Sequence, residues 1–270
     1  MKKLLAIILS FGISTAAAHP PDGGAATYLA NEAVMVSDHG KKILFDPLFD
    51  LASGPYLNVP PEMRAAMMSG AAPFDHVDAV FISHAHDDHF SADAVIDYLL
   101  ANENVQLIAP GQAAHALYAA EAWDEALAAR LTVVDLAQGD APMRFTLGDI
   151  EIFAVRIPHS GQRSRATVQN IVYRVTLGEG ATVMHLGDAD KIAADFAPYK
   201  DDFAARASDM GFPPFWFFGD GTGEAILKDQ LYINHPVGIH VPANVPGFLI
   251  ETGADYFSTP GETRPLHKPQ

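Results

Sequence analysis

Short apolar runs alternate along the chain with clusters of Gly, Pro, Asp and Asn, the punctuation of a protein built from many short strands and helices. Residues 28–38 carry apolar and β-branched side chains and predict a strand. Asp38-His39-Gly40-Lys41 predicts a turn and residues 42–45 a second strand, so the two form a hairpin closing on Asp46-Pro47. Residues 60–68 predict a short helix inside an otherwise irregular insert, residues 50–75. The middle alternates: a strand at 79–83, a helix at 92–101 with Ser91 as its N-cap, a strand at 105–109, an Ala-rich helix at 112–130 broken in two, and a strand at 131–136. Further strands are expected at 143–147, 150–157, 168–177 and 181–186. The last third is mixed, with a strand at 215–218, a helix after Asp220, a strand near Ile239, a short helix near Phe248 and a last strand around Tyr256. Strand–helix alternation combined with antiparallel hairpins predicts an α/β (α+β) fold of two sheets with helices outside, and no linker divides it.

Composition changes this picture in two ways. The 270-residue chain contains no cysteine, which removes disulfides, thiolate metal ligands and cysteine nucleophiles together. Any metal site must therefore use His, Asp and Glu. The formal charge of −16 repels phosphate backbones at long range and argues against nucleic acid as a partner. The N-terminus reads MKKLLAIILSFGISTAAAHP: a basic pair, an apolar run too short to span a bilayer comfortably, then Ala16-Ala17-Ala18. Residues 1–18 are expected to be a signal peptide cleaved after Ala18, leaving residues 19–270 as one exported domain, periplasmic or secreted. Residues 19–26 read as a loose lead-in. No later stretch is apolar enough for a membrane span, and nothing in the pattern specifies an oligomeric state.

The chemistry concentrates in Ser83-His84-Ala85-His86-Asp87-Asp88-His89-Phe90, three histidines and an aspartate directly after an apolar strand. Alternate residues of an extended segment face one way, so His84 and His86 can reach one ion together. If the chain then turns into a helix, Asp88 and His89 swing toward a second position, and the segment can serve two nearby divalent ions.

The pattern H-x-H-x-D-H after Ala-Val-Phe-Ile-Ser resembles the signature of the metallo-β-lactamase superfamily. The resemblance runs over residues 28–260 and is weakest in the 50–75 insert. Its layout resembles the branch of L-ascorbate-6-phosphate lactonase-like and phospholipase-D-like hydrolases. The resemblance implies a four-layer αββα sandwich with metals at one edge of the sheets. It also implies further ligands. His159, in Ile157-Pro158-His159-Ser160-Gly161, fits the third histidine of the first metal, and Asp188, ending Ala-Thr-Val-Met-His-Leu-Gly-Asp, fits the bridging aspartate, with Asp190 a weaker competitor. The last histidine departs from the usual form, and His240 is favoured over His235 because it ends a strand-like run. Asp46 is expected to accept a ring N–H from a ligating histidine. Asn31 is a weaker candidate to face the site, and Trp216 to line a substrate pocket. His185 reads as a core histidine or a neighbour of the site.

The implied activity is hydrolysis. Two close cations, zinc by default with manganese or iron fitting the same ligands, make hydroxide available at neutral pH, and Asp88 orients that nucleophile or accepts its proton. The expected substrate is a small or lipid-like ester, lactone or phosphodiester. A β-lactam substrate, or a non-catalytic metal-binding protein of the same fold, are the rival readings.

Overall fold

The computed structural model describes residues 24–50 and 54–266; the expected signal peptide and its cleavage site lie outside them. The first six strands are β1 (Ala25–Ala30), β2 (Ala33–Asp38), β3 (Lys41–Phe45), β4 (Ala79–Phe81), β5 (Gln106–Pro110) and β6 (Leu131–Val134). The next six are β7 (Met143–Leu147), β8 (Ile150–Arg156), β9 (Ile171–Leu177), β10 (Thr182–His185), β11 (Ser208–Phe212) and β12 (Ile233–Pro236), and β13 (Thr263–Pro265) follows. They form a seven-stranded sheet, β13-β1-β2-β3-β4-β5-β6, and a six-stranded sheet, β12-β11-β10-β9-β8-β7. In the first, β1 to β3 pair antiparallel and β3 to β6 parallel. In the second, β7 to β10 pair antiparallel and β10 to β12 parallel.

Period-two patterning explains why the sheets stack. Val34, Val36, Ile43, Phe45 and Phe81 of the first sheet pack against Ile152, Tyr173, Val175, Val183 and Phe212 of the second. The alternate residues Met35, Leu44, Val80 and Leu107 face outward, under α1 (Pro61–Met68), α2 (Ala92–Ala101) and α3 (Gly111–Ala119). On the other side, Phe153, Val155, Val172 and Met184 pack against Phe196, Phe203, Ile226 and Leu227, from α4 (Ala193–Phe196), α5 (Lys200–Ala204) and α6 (Thr222–Asp229). A last short helix, α7, covers Gly247–Thr252. The result is helix–sheet–sheet–helix, the layering expected from the sequence. Strands buried on both faces need apolar residues at nearly every position, which is why they read as continuous runs. Ser91 caps α2 as expected, its hydroxyl accepting from Ala94 N at 3.3 Å.

Several expected elements differ. The strand expected over 28–38 is two strands, because Asn31, at φ 49°, reverses the chain and starts a hairpin. Ala25 and Ala26, expected in the lead-in, already belong to β1. The 112–130 helix is α3 followed by a separate 3₁₀ segment, Glu125–Arg130. The strand expected at 215–218 is a 3₁₀ turn, Phe215–Phe217, after β11; aromatic bulk buried on one side does not distinguish the two. Ile239 and Tyr256 make only isolated bridges, to Pro214 and Gly238, and the last strand is β13.

Candidate metal centre

The carboxyl ends of β3, β4, β8 and β10, the turn after β1 and the loop after β12 converge at one edge of the sandwich. Residues 82–86 run on beyond β4 without regular structure, and His89 N and Phe90 N both donate to His86 O at 2.9 Å, so the chain closes a turn here and no helix. The two-residue spacing brings His84 Nε2 to 2.9 Å from His86 Nδ1, and His159 Nε2 lies 3.1 Å from the same His86 atom. Asp188 Oδ2 stands 3.1 Å from His159 Nε2. Ligand atoms of His84, His86, His159 and Asp188 thus lie within 4.8 Å of one another. Around the turn, His89 Nε2 is 3.8 Å from Asp88 Oδ2 and 3.7 Å from Asp188 Oδ1, and His240 Nε2 is 3.7 Å from that same Asp188 oxygen. Asp88, His89 and His240 form a second such group.

Backbone contacts fix these positions. The loop after β8 pairs with the loop after β10: Ser160 N donates to Asp188 O at 2.7 Å and Asp190 N to Pro158 O at 2.8 Å. Asn170 Oδ1 accepts from Asp188 N at 2.9 Å, and Asn170 Nδ2 donates to Leu186 O at 3.1 Å. Gly187, at φ 51°, is required there, since a Cβ would strike Asn170 Oδ1 and sit 2.8 Å from Ser83 Cβ. His240 N donates to Asn31 O at 2.9 Å, and Asn31 Nδ2 donates to Asp88 O at 2.8 Å.

Three of the remaining ring nitrogens have partners on the protein. His84 Nδ1 contacts Ser83 Oγ at 3.0 Å, and that hydroxyl donates to Asp46 Oδ2. His89 Nδ1–H donates to Asp46 Oδ2 at 3.0 Å, and His159 Nδ1–H to Ser160 O at 2.6 Å. Asp46 also accepts from Ser83 N at 2.6 Å, so it steadies both ligand groups, the place expected of it.

Burial lowers His84 well below the usual histidine range and lowers His86; it takes His240 down to about 4. For His89 burial opposes the proton, but Asp188, Asp46 and Asp88 outweigh it and raise the ring to about 9. Burial would raise Asp188, yet the imidazoles around it hold it well below the usual carboxylate range. Glu32 is pushed well above that range by burial and by the charges of Asp188 and Asp46, charges that divalent cations bound to Asp188 would offset.

All seven expected ligands, His84, His86, Asp88, His89, His159, Asp188 and His240, come together at this edge. Of the alternatives, His235 is turned away to Asp255, 2.9 Å off, with 43% of its side chain exposed. Three residues of the centre escape sequence reasoning. Glu32 is wholly buried between His89, His185 and His240. Asn170 positions Asp188. Tyr56, from the insert, lays its ring 4.0 Å from that of His240, with Trp216 at 5.4 Å on another side. A charged residue in the middle of the apolar run 28–38 is the signal that could have pointed to Glu32.

The donor set fits divalent cations. His89 Nε2 and Asp188 Oδ1 are buried, face each other and have no hydrogen-bond partner, the state of ligand atoms aimed at a common ion. The nitrogen and oxygen donors suit zinc, iron or manganese.

Residues 25–198 match the Beta-lactamase superfamily domain, and the chain belongs to that superfamily. Comparison with curated proteins gives no match. Among solved structures, the chain is similar to a possible metal-dependent hydrolase from Veillonella parvula, with 13% identity over 90% of this chain and 99% of that one and a TM-score of 0.62. A metallo hydrolase from the archaeon Ignicoccus hospitalis shares 17% over 89% and 97%, with a TM-score of 0.56. An isothiocyanate hydrolase from Delia radicum gut bacteria shares 16% over 89% and 98%, also with a TM-score of 0.56. At these identities the likeness is one of fold, and function is argued from the site.

Proposed function

We propose that the protein is an exported metal-dependent hydrolase of the lactonase-like and phospholipase-D-like kind, acting on a small or lipid-like ester, lactone or phosphodiester. The observation that carries this reading is Asp188. Its two oxygens face two separate groups of ligand atoms, His84, His86 and His159 on one side and Asp88, His89 and His240 on the other. A single structural ion has no use for a second group.

Two divalent cations held there would supply Lewis acidity and a hydroxide nucleophile at neutral pH. The chain's own residues supply the rest. Asp88 is more open than the other acids of the centre, with 18% of its side chain exposed against 5% for Asp188, so it orients an attacking water and takes its proton. Asp46 and Ser83 hold the histidines in the tautomer that leaves their ligand nitrogens free. Tyr56 and Trp216 flank His240 and offer an apolar wall, which favours substrates with an aromatic or acyl group.

Metal analysis of the purified protein should return about two ions per chain. A screen of lactones, carboxylic esters, phosphodiesters, β-lactams and an isothiocyanate then identifies the substrate class, with His86→Ala as the inactive control. One ion per chain, or full activity in His86→Ala, refutes the mechanism. Turnover of β-lactams alone replaces the proposed substrate class, and two ions without turnover of any compound favours a binding protein.

A further inference from the structure

Glu32 sits at the turn between β1 and β2, held by the contacts of Asn31 to Asp88 and His240 described above. Its side chain is fully buried, and neither carboxylate oxygen has a hydrogen-bond partner. Burying an ionisable group in this way is costly unless it serves something. Three ring nitrogens and the Asp188 carboxylate lie around it. His89 Nδ1, at 3.6 Å, already donates to Asp46. His185 Nε2, at 3.8 Å, already donates to the Glu32 carbonyl at 3.0 Å. His240 Nδ1, at 4.0 Å from Glu32 Oε1, is buried and has no partner of its own.

A donor and an acceptor, both unsatisfied and both out of reach of water, therefore face each other across that gap. An imidazole that gives Nε2 to a cation carries its proton on Nδ1 and needs an acceptor there. His84, His89 and His159 each have one. We infer that Glu32 is the positioning residue of the second cation position: its carboxylate accepts the Nδ1–H of His240, aims Nε2 toward Asp188, and joins Asp46, Asp88 and Asp188 in opposing the charge of two divalent ions. This rests on the two-cation reading of the centre. It gives a charge in a buried turn a task, and it explains why the turn is tied to both Asp88 and His240.

The test is zinc titration of the chelator-stripped full chain by calorimetry, comparing wild type with Glu32→Gln and Glu32→Ala. Wild type should take up two ions. Glu32→Gln, nearly the same shape and uncharged, should keep the first constant and weaken the second by about 10–100-fold. Glu32→Ala should weaken it at least as much. Unchanged constants in both variants, or a loss confined to the first ion, overturn the role of Glu32 while leaving the two-cation reading intact. A wild type that binds one ion overturns that reading and the role of Glu32 with it. A second measurement needs no variant: proton NMR of the zinc-loaded wild type should show a His240 Nδ1–H protected from exchange with water. A freely exchanging proton there overturns the assignment even if the variants fail to fold.

Discussion

His185 and His240 are both buried at the same end of the second sheet, yet their surroundings fix different tasks. His240 turns a nitrogen to Asp188. His185 stacks on Phe45 at 4.9 Å, donates from Nε2 to the Glu32 carbonyl, and accepts at Nδ1 from Gly187 N at 3.2 Å. Both nitrogens are thus committed to the neutral ring, and burial lowers the pKa of His185 below its usual value. The sign follows from linkage. Below the ordinary histidine pKa of about 6.5 the unfolded chain takes up a proton that the folded chain refuses. Stability from this residue is complete above that pH and falls on acidification, by up to about 1.4 kcal/mol per pH unit. Urea midpoints at pH 7.5 and 5.5 should therefore differ less in His185→Gln than in wild type. Equal pH dependence in the two proteins would assign the acid sensitivity elsewhere.

Strands and helices were legible to the extent that burial wrote a period into the sequence. β4, Ala-Val-Phe, is apolar on both faces, and α2 announces itself through Ser91. The candidate ligands were legible because His84 to His89 follow a strand at fixed spacing, and because His159, Asp188 and His240 each close an apolar run. What stayed hidden depends on contacts distant in sequence. Asn170 matters only because the end of β10 lies beside it. Glu32 was hidden by a hairpin whose two strands share one uninterrupted apolar pattern, with Asn31 as its sole turn signal. Tyr56 comes from an insert with no periodicity, anchored in part by Ala243 N donating to Pro55 O at 2.7 Å. That anchoring helps set Tyr56 against His240, where the proposed function makes it one wall of the entrance. For whichever substrate the screen identifies, Tyr56→Ala should raise KM several-fold with little change in kcat, because a wall of this kind binds ground and transition states alike. A fall in kcat at constant KM would instead place Tyr56 in the chemistry.

At the scale of the whole molecule, the centre lies where the two sheets meet. Each group draws on both: His84 and His86 with His159 and Asp188, and Asp88 and His89 with Asp188 and His240. Ions bound there would add to stability by about 4 kcal/mol when free metal is about a thousand-fold above its dissociation constant. For a domain of this size that corresponds to roughly 10 °C. Thermal unfolding before and after chelation, followed by restoration with zinc, should show a shift of this order, whereas a superimposable pair of curves would remove metal from the stability of the fold. Because each candidate ligand group draws on residues from both layers, an ion held there would be released more readily when that edge of the sandwich gapes. The rate at which metal exchanges with solution then becomes a clock for a breathing motion, and it should keep time with amide deuterium uptake at the carboxyl ends of β4 and β10. In a chain without a single cysteine, such ions would serve as clasps between the layers.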